Sequence, residues 1–392
     1  MEEPSNKKKR KMNPVILVLG LVSLFTDLSS NMIVPILPIY LTTVLHVQIG
    51  SIGIIEGIAE STASILKLLS GWITDRTRKH KLLMLMGYGL SNLTKPFFAM
   101  SGTWSQVLLI RFADRFGKGI RTSPRDALLA DSTTKEERGK AFGFRRSMDA
   151  LGAALGPLAA FGVLAVFTNN YRLVFWLSVI PGVIAVALIL IFLKDKKQEG
   201  NGNHASIPRI RFRNMSRRFI WFTLISTLFT VGNFSDAFLA LRAQDTGMNA
   251  ALVPLAFFAF NMTSSIFSMP IGMLSDRIGR RPVLISGFAI FALIYFGFGR
   301  ANSVKWIWIL FILYGLYYAF TEGIQKAYIA DIVPQGQRGM AMGTYNAMIG
   351  IATLPASVMA GYLWETFGPV VAFSTSSAIA ISAAVLMIVL RI

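Results

Sequence analysis

The stretch GMLSDRIGRRPVL at positions 272–284 repeats, about 200 positions later, the stretch GWITDRTRKHKL at positions 71–82. Two further pairs follow in the same order and at nearly the same offset: AD at 130–131 and 330–331, and RGKAFG and RGMAMG at 138–143 and 338–343. Three ordered matches at one spacing indicate an internal repeat. The chain is therefore predicted to consist of two related halves.

Apolar runs that are long enough to cross a bilayer recur along the 392 residues. Hydrophobic residues make up 53% of the sequence and charged residues only 15%, against roughly 25% charged in a soluble domain. Such runs cross the membrane as helices, because backbone polar groups in hydrocarbon must pair within their own segment. We predict twelve spans, at about 14–43, 48–74, 81–101, 104–127, 140–167, 171–193, 218–242, 249–274, 282–299, 306–330, 340–364 and 369–390. The predicted fold class is an all-α membrane protein with 12 transmembrane helices in two six-helix, pseudo-symmetric halves.

Basic residues are distributed unequally between the two sides of the predicted membrane. The net charge is +19, yet only Arg172, Arg242, Arg300 and Lys305 fall in the loops of one side. This asymmetry follows the positive-inside rule. We therefore expect a multi-pass protein of the plasma or inner cell membrane with both termini cytoplasmic, a lipid bilayer as its partner, and no nucleic-acid partner.

A polar segment separates the first six spans from the last six. We predict four parts: a basic cytoplasmic N-terminus (1–13), an N-terminal six-helix bundle (14–193), a cytoplasmic linker (194–217) and a C-terminal six-helix bundle (218–392). Duplicated halves of this kind hold a substrate between them, near the middle of the membrane.

The repeated motif resembles the loop motif of major facilitator superfamily transporters, glycine–x–x–x–Asp–Arg–x–Gly–Arg–Arg/Lys, and the resemblance covers essentially the whole chain. The matching positions are Gly71, Asp75, Arg76 and Arg78 in the first copy, and Gly272, Asp276, Arg277, Gly279, Arg280 and Arg281 in the second. Only the first copy departs from the motif, because Arg78 replaces its second glycine. The resemblance implies the major facilitator fold and a clasp that stabilises an outward-open state.

The residue types of the motif suit such a clasp. Its first glycine allows two helices to approach closely, and its aspartate can pair with a neighbouring Arg or a helix N-terminus. We expect Asp126 or Asp131, at the end of the fourth span, to join the clasp around Asp75.

The second span carries Glu56, Glu60 and Lys67 within an arc of roughly 40° on a helical wheel. A polar stripe that faces the bundle interior is the least costly arrangement, because a charge facing lipid costs at least about 2.5–3.5 kcal/mol. Two carboxylates one turn apart in low dielectric suit a proton-carrying pair. Structural ion pairs with Lys67 or with an Arg of the fourth span explain the same residues, and the sequence leaves both interpretations open.

Isolated charges mark the first and third spans. Asp27, with Asn31 one turn later, lies in the first span, and a lone carboxylate in a membrane is a functional-site hypothesis. We interpret Asp27 as a site of proton or substrate coupling, and Lys95 in the third span as a candidate partner for one of the carboxylates. Pro35 and Pro38 are expected to loosen the first span near its outer end.

The fourth span presents a basic face. Arg111, Arg115, Lys118, Thr122 and Arg125 lie within roughly 80° of one another on the helical wheel. Asp114 lies at the edge of this face, with Lys118 as an expected partner at i+4. The stretch RFGKG at 115–119 is similar to the superfamily motif Arg–x–x–Gln–Gly, with Lys118 in place of Gln. The resemblance assigns Arg115 a role in proton transfer through a nearby carboxylate.

A small-residue motif in the fifth span bears on the direction of transport. Gly143, Gly152, Gly156 and Pro157 match a superfamily motif associated with antiporters, although Ala160-Phe161 replaces its closing glycine pair. The match favours export over uptake. It also favours the drug:proton antiporter (multidrug efflux) branch of the superfamily.

The second half holds fewer charges within its spans. Asn233 and Asp236 mark the seventh span, and Tyr314, Tyr318 and Glu322 mark the tenth. An aromatic stripe often serves packing, but one that runs into polar residues is also typical of a cavity wall. A charge-poor half that faces a charge-rich half would suit an amphipathic solute.

These observations predict a transporter rather than an enzyme. No catalytic constellation and no nucleotide-binding loop of the Gly-rich Lys-Ser/Thr type is present, no metal site is predicted, and no cofactor is expected. The leading hypothesis is a monomeric, proton-coupled exporter of small amphipathic compounds that works by alternating access. The alternatives are an exchanger or uptake carrier for an anionic metabolite, suggested by the basic face around Lys118, and a metal-ion exporter, suggested by the carboxylates.

Overall fold

The computed structural model describes residues 13–77, 79–134, 137–193, 215–334 and 337–392, without the side chain of Asp75. Within these residues the chain forms helices and no strands. The helices are α1 Pro14–Ile33, α2 Leu37–Thr43, α3 Ile49–Thr77, α4 His80–Met100, α5 Trp104–Asp131, α6 Arg138–Val166, α7 Tyr171–Phe192, α8 Arg217–Gly232, α9 Ala237–Asp245, α10 Leu252–Ile278, α11 Arg280–Arg300, α12 Val304–Ile332, α13 Arg338–Phe367 and α14 Pro369–Val389.

Nine of the described helices are long and apolar enough to cross a membrane, with α1–α2 and α8–α9 each taken as one crossing. The other long helices are α3, α4 and α5, of 29, 21 and 28 residues. They are also the helices that carry the buried Glu56, Lys95, Arg111, Asp114 and Arg115. The chain is an all-helical, multi-pass membrane protein.

Two of the crossings are broken at equivalent places. The first is interrupted at residues 34–36, between α1 and α2, as the prolines predicted. The second is interrupted at residues 233–236, between α8 and α9, at the same offset as the sequence repeat. Non-helical backbone at membrane depth is tolerated where it is buried in protein or lines a cavity.

The same helix pairings occur in both parts of the chain. In the first, α1 packs on α6 and α7, α5 packs on α3 and α4, and α4 packs on α7. In the second, α8 packs on α13 and α14, α12 packs on α10 and α11, and α11 packs on α14. The repeat in the sequence is thus also a repeat in the packing. The predicted linker at 194–217 and N-terminus at 1–13 lie almost wholly outside the described residues.

The bundle has two ends, which we name by one residue each. At the Leu45 end lie residues 44–48, 101–103, 167–170, 246–251 and 301–303. At the Asp131 end lie residues 132–134, 193, 279 and 333–334. The two halves meet where α3 packs on α13, α6 packs on α10, and α2 packs on α9.

The halves are packed closely at the Leu45 end. A Cβ atom added to Gly361 would lie 3.0 Å from the Cα of Gly50, and one added to Gly57 would lie 3.0 Å from the carbonyl oxygen of Leu354. The backbone N–H of Gly50 also donates a hydrogen bond to Glu365 Oε2 across the interface, at 2.8 Å. Small residues therefore hold α3 and α13 together here.

At the Asp131 end the two halves are packed less closely. Cβ atoms added to Gly143, Gly272 or Gly339 would meet no described atom within 4 Å, and the ion pair between Arg146 and Glu322 that crosses the halves here joins two half-exposed side chains. The expectation that Gly272 allows a close helix approach is therefore wrong for this conformation, because the glycine faces open space. The halves are closed at the Leu45 end and open toward the Asp131 end.

Candidate functional site

The two halves enclose a cavity of about 420 Å³. The first half contributes an ionic wall, made of Glu56 and Glu60 from α3 and Arg111, Arg115 and Lys118 from α5. The second half contributes an aromatic wall, made of Phe229, Phe234, Tyr317, Tyr318 and Tyr345. The break between α8 and α9 brings further polar groups to the same wall, namely Asn233, Ser235 and Asp236.

Each carboxylate of the ionic wall is paired with an arginine of α5. Arg111 donates from Nε and Nη2 to both oxygens of Glu56, at 3.0 and 2.9 Å, and Arg115 Nη2 lies 3.0 Å from Glu60 Oε1. α3 and α5 run in the same direction, so residues at a spacing of four on each helix meet in register. Of the two partners considered for structural ion pairs, the fourth-span arginines are the ones observed, while Lys67 lies outside the cavity lining.

Asp114 lies behind this wall rather than in it. It accepts a hydrogen bond from the Ser91 hydroxyl of α4, and its Oδ2 lies 3.9 Å from Arg111 Nη1 and 4.0 Å from Arg115 Nε. The predicted pairing of Asp114 with Lys118 is wrong, because Asp114 is on the side of α5 that packs against α4.

Lys118 is the exposed cation of the ionic wall. Within the described part of the chain, its ammonium has no carboxylate within the 4.0 Å that defines an ion pair. Its backbone oxygen accepts from the Thr122 hydroxyl at 2.7 Å, within the helix. The ammonium group is therefore left facing the cavity.

On the opposite wall, tyrosines hold Asp236. The Tyr314 hydroxyl donates to Asp236 Oδ1 at 2.7 Å, and the Tyr318 hydroxyl lies 3.5 Å from Oδ2. Tyr318 lines the cavity, whereas Tyr314 is fully buried behind it. Asn233, the other polar residue predicted for the seventh span, also lines the cavity. It donates a hydrogen bond to the Tyr317 hydroxyl at 3.0 Å.

One hydrogen bond joins the two walls directly. The Ser235 hydroxyl donates to Glu56 Oε2 at 3.3 Å, so the break between α8 and α9 is tied to the Glu56–Arg111 pair.

Asp27, Asn31 and Lys95 lie outside the cavity lining. Asn31 Nδ2 donates to the backbone oxygen of Asp27 at 2.8 Å, and the described residues offer the Asp27 carboxylate no ion pair. Lys95 is buried and donates to the Ser29 hydroxyl, which in turn donates to the Ser178 carbonyl oxygen. The prediction that Lys95 pairs with a carboxylate is wrong among the described residues, because its ammonium is held by this hydroxyl between α1, α4 and α7.

The second copy of the loop motif forms a clasp within its own half. Asp276 Oδ1 lies 2.8 Å from Arg280 Nη2, and Arg280 Nε donates to Asp331 Oδ2 at 2.8 Å. Arg281 donates to the carbonyl oxygens of Met387 and Ile388 at the end of α14. Arg277 is exposed at the end of α10, and Gly279 has a φ of +94°, a conformation that glycine adopts readily.

The first copy is only partly described. Arg78 and the side chain of Asp75 lie outside the described residues. Arg76 stacks over the Trp72 ring, at 5.6 Å, and a Cβ atom added to Gly71 would make ordinary contact with Ser123, 3.6 Å from its hydroxyl oxygen. His80 Nε2 lies 3.7 Å from Asp131 Oδ2, so Asp131, the equivalent of Asp331, also has a basic partner from the start of the next helix.

Asp126 was predicted for the clasp around Asp75 and Glu322 for the substrate site, and both have other partners. Asp126 is held by Arg125 at 3.1 Å and by Arg145 at 4.0 Å, and Arg145 also pairs with Asp149 at 2.6 Å, four residues on along α6. Glu322 does not line the cavity; it pairs with Arg146 of the other half at 3.2 Å and with Lys326 at 3.8 Å.

The antiporter-like motif of α6 has two different environments. Gly152 and Gly156 face α1, where added Cβ atoms would lie 2.9 Å from Asp27 Cβ and 2.7 Å from Asn31 Cβ. These two glycines therefore permit the predicted close helix packing. Gly143 faces open space instead, and α6 continues without interruption through Pro157.

Several cavity residues escaped the sequence analysis. Tyr317 neighbours Tyr318 and falls off the i,i+4 stripe that starts at Tyr314, yet the break at 233–236 brings Asn233 to it. Ser235 lies within the same break. Tyr345 on α13 donates to Gln325 Oε1 at 3.0 Å. Among the described residues, no group of three His, Cys, Asp or Glu side chains is arranged to hold a metal ion.

Comparison with known proteins gives a consistent family assignment. The family model described as Major Facilitator Superfamily matches residues 19–242 and 220–392. An uncharacterized MFS-type transporter of Methanocaldococcus jannaschii is 34% identical over 392 residues, covering 98% of this chain and 97% of that protein. The quinolone resistance protein NorA of Staphylococcus aureus is 22% identical over 264 residues, covering 63% and 67%. The crystal structure of the nucleoside transporter NupG has the same fold, with a TM-score of 0.79 at 15% identity over 97% of this chain and 100% of that chain.

Proposed function

This chain belongs to the Major Facilitator Superfamily of membrane transporters, and we propose that it is a proton-coupled exporter of small amphipathic compounds. The observation that carries the proposal is the cavity between the halves, with an ionic wall on one side and an aromatic wall on the other. Pockets that bind organic molecules combine apolar surface with a few placed polar groups. The resistance protein NorA among its relatives supports efflux of amphipathic compounds.

We further propose that the chain crosses the cell membrane twelve times, with both termini and the Asp131 end in the cytoplasm. The unequal distribution of Lys and Arg supports this orientation. The cavity of the described conformation then opens to the cytoplasm, where an exporter loads its substrate. Rocking of the six-helix halves at 14–193 and 218–392 would close the Asp131 end and open the Leu45 end.

Proton coupling is proposed to act through the carboxylates of the first half. The Glu60 side chain is 34% exposed and that of Glu56 only 5%, so protons arriving through the cavity reach Glu60 first. Protonation of Glu60 removes its charge and releases Arg115, while the Glu56–Arg111 pair and Ser235 keep the walls joined. Asp27 is a second proposed proton site, because the described residues leave its carboxylate without an ion pair.

Proteoliposomes that report internal pH test the proposal. A panel of neutral, cationic and anionic amphipathic compounds is added to purified full-length protein, at two external pH values. We expect at least one compound to drive proton movement in the wild type, and Glu60→Gln together with Asp27→Asn to abolish it. Lys305→Gln, a change of charge at an exposed position in the first turn of α12, is the matched control and should behave as the wild type. Compound flux that is independent of the proton gradient would sink the coupling proposal.

A further inference from the structure

We infer that Lys118 is the anion subsite of the cavity, so that the transported solute is an amphipathic organic anion with an aromatic or apolar body. The acidic group binds the Lys118 ammonium, and the body packs against the aromatic wall. The inference rests on the proposed transport function and adds the chemical class of the substrate.

The other charged side chains of the ionic wall are already ion-paired with one another. Arg111 uses two donors on the two oxygens of Glu56, and Arg115 is paired with Glu60. A buried ion pair that loses one partner costs several kcal/mol, because the remaining charge is left uncompensated. Glu56 is therefore a poor site for an organic cation and Arg111 a poor site for an anion, and Arg115 stays paired for as long as Glu60 is ionised.

Lys118 is in the opposite situation. It lies one helical turn beyond Arg115 toward the Asp131 end, it is exposed to the cavity, and no described carboxylate lies within ion-pair distance of its ammonium. An ammonium has three donors and no acceptor. A cation at membrane depth is stabilised by pairing or hydration, and a solute with an acidic group supplies the missing partner.

Neutral polar side chains also line the cavity and can hydrogen-bond a ligand. Ser64 lines the cavity on the same side. On the opposite wall, the Tyr345 hydroxyl donates to Gln325 Oε1, which leaves the Gln325 Nε2 group as the donor for a ligand. Asp236 on that wall accepts from the Tyr314 hydroxyl at 2.7 Å, and the Tyr318 hydroxyl lies 3.5 Å from its other oxygen.

The repeat places an aromatic ring across from the ammonium. Lys118 on α5 and Tyr318 on α12 occupy equivalent positions of the two halves, and both line the cavity. Equivalent positions in pseudo-symmetric halves lie at the same depth. A solute whose acidic group reaches Lys118 therefore extends its body toward Tyr317 and Tyr318.

A matched series of ligands tests the inference on the purified full-length protein. The probes are 1-naphthoate, the neutral 1-naphthamide and the cationic 1-naphthylmethylamine, with binding measured by calorimetry and by ligand-induced thermal stabilisation. We expect naphthoate to bind more tightly than the other two. We expect Lys118→Gln to weaken naphthoate binding by about tenfold or more, the value of a hydrogen-bonded charge pair, with naphthamide unaffected.

Two further variants control for folding and for general charge effects. Lys118→Arg keeps the positive charge and should retain most of the affinity for naphthoate. Lys67→Gln removes an exposed lysine of α3 that does not line the cavity, and it should bind naphthoate as the wild type does. Monodisperse elution and an unchanged melting temperature without ligand establish that each variant is folded.

The outcomes separate this inference from the proposed function. Naphthoate binding that depends on Lys118, without any compound-driven proton movement, leaves the anion subsite standing and removes the proton-coupled function. Preferred binding of naphthylmethylamine that is insensitive to Lys118→Gln and lost in Asp236→Asn overturns the inference in favour of a cationic solute. Equal affinity for naphthoate and naphthamide, or no naphthoate binding at millimolar concentration, overturns it as well.

Discussion

The two walls of the cavity are built on equivalent helices but carry different chemistry. α5 packs between α3 and α4 as α12 packs between α10 and α11, yet the inward positions of α5 are ionic and those of α12 are aromatic. The cavity-lining side chains of α5 are Arg111, Arg115 and Lys118, whereas Tyr317 and Tyr318 line the cavity from α12, and Lys118 and Tyr318 occupy equivalent positions. Equivalent helices that pack alike therefore present different side chains to the cavity.

The largest expected effect comes from breaking the ionic wall. Arg111→Leu leaves Glu56 buried without its partner, and we expect the free energy of unfolding to fall by about 3–5 kcal/mol. Glu56→Leu combined with Arg111→Leu should recover most of that loss, because no buried charge remains. Denaturant unfolding in detergent, followed by tryptophan fluorescence, measures both; a double variant no more stable than the single one would contradict the ion-pair account.

The second prediction compares two glycines at equivalent helix contacts, Gly87 against α5 and Gly287 against α12. A Cβ atom at Gly87 would lie 2.7 Å from the carbonyl oxygen of Gly117, whereas one at Gly287 would lie 2.7 Å from a methyl group of Thr321. Backbone gives way less easily than a side chain, so we expect Gly87→Ala to cost about 1–3 kcal/mol of unfolding free energy and Gly287→Ala less. Melting temperatures of the two variants decide this, and a larger loss for Gly287→Ala would show that the two helix contacts are not as alike as the repeat indicates.

The third prediction weakens the aromatic wall. Tyr314→Phe removes the 2.7 Å hydrogen bond to Asp236 but keeps the ring, and we expect a loss of about 1.5 kcal/mol, as for a hydrogen bond to a charged group. Asp236→Asn in the same background should add little, since its main partner has already gone. A double-mutant cycle on unfolding free energies measures the coupling, and additive losses would argue against the bond.

The smallest effect is expected at the loop clasp. Asp331→Asn removes one partner of Arg280, but the Arg280 and Asp331 side chains are 24% and 55% exposed and Asp276 remains in place. Pairs exposed to this extent contribute about 0–1 kcal/mol. We expect an unchanged melting temperature at high salt and at most a small decrease at low salt; a large loss at both would mean that the clasp holds the half together.

The repeat, the broken first crossing and the arginine partners of the carboxylates could be predicted from sequence because each follows from spacing along one or two helices. The positions of Asp114 and Lys95 could not, since the choice between neighbouring helices depends on which side of a helix faces which partner. Asp114 accepts a hydrogen bond from Ser91 of α4, and Lys95 donates one to Ser29 of α1. Tyr317 was missed because its importance arises from Asn233, in a break without a strong local signal.

The empty space beside Gly143, Gly272 and Gly339 has a consequence for how mutations in this protein are interpreted. In the described conformation, a methyl group at any of these positions meets no described atom within 4 Å, so the stability of this conformation places no steric demand on them. A substitution there that leaves the melting temperature unchanged and still slows transport would therefore report on a packing that exists only at another stage of the cycle. Screens that score stability alone will class these positions as tolerant, and only turnover measurements can detect what the glycines do.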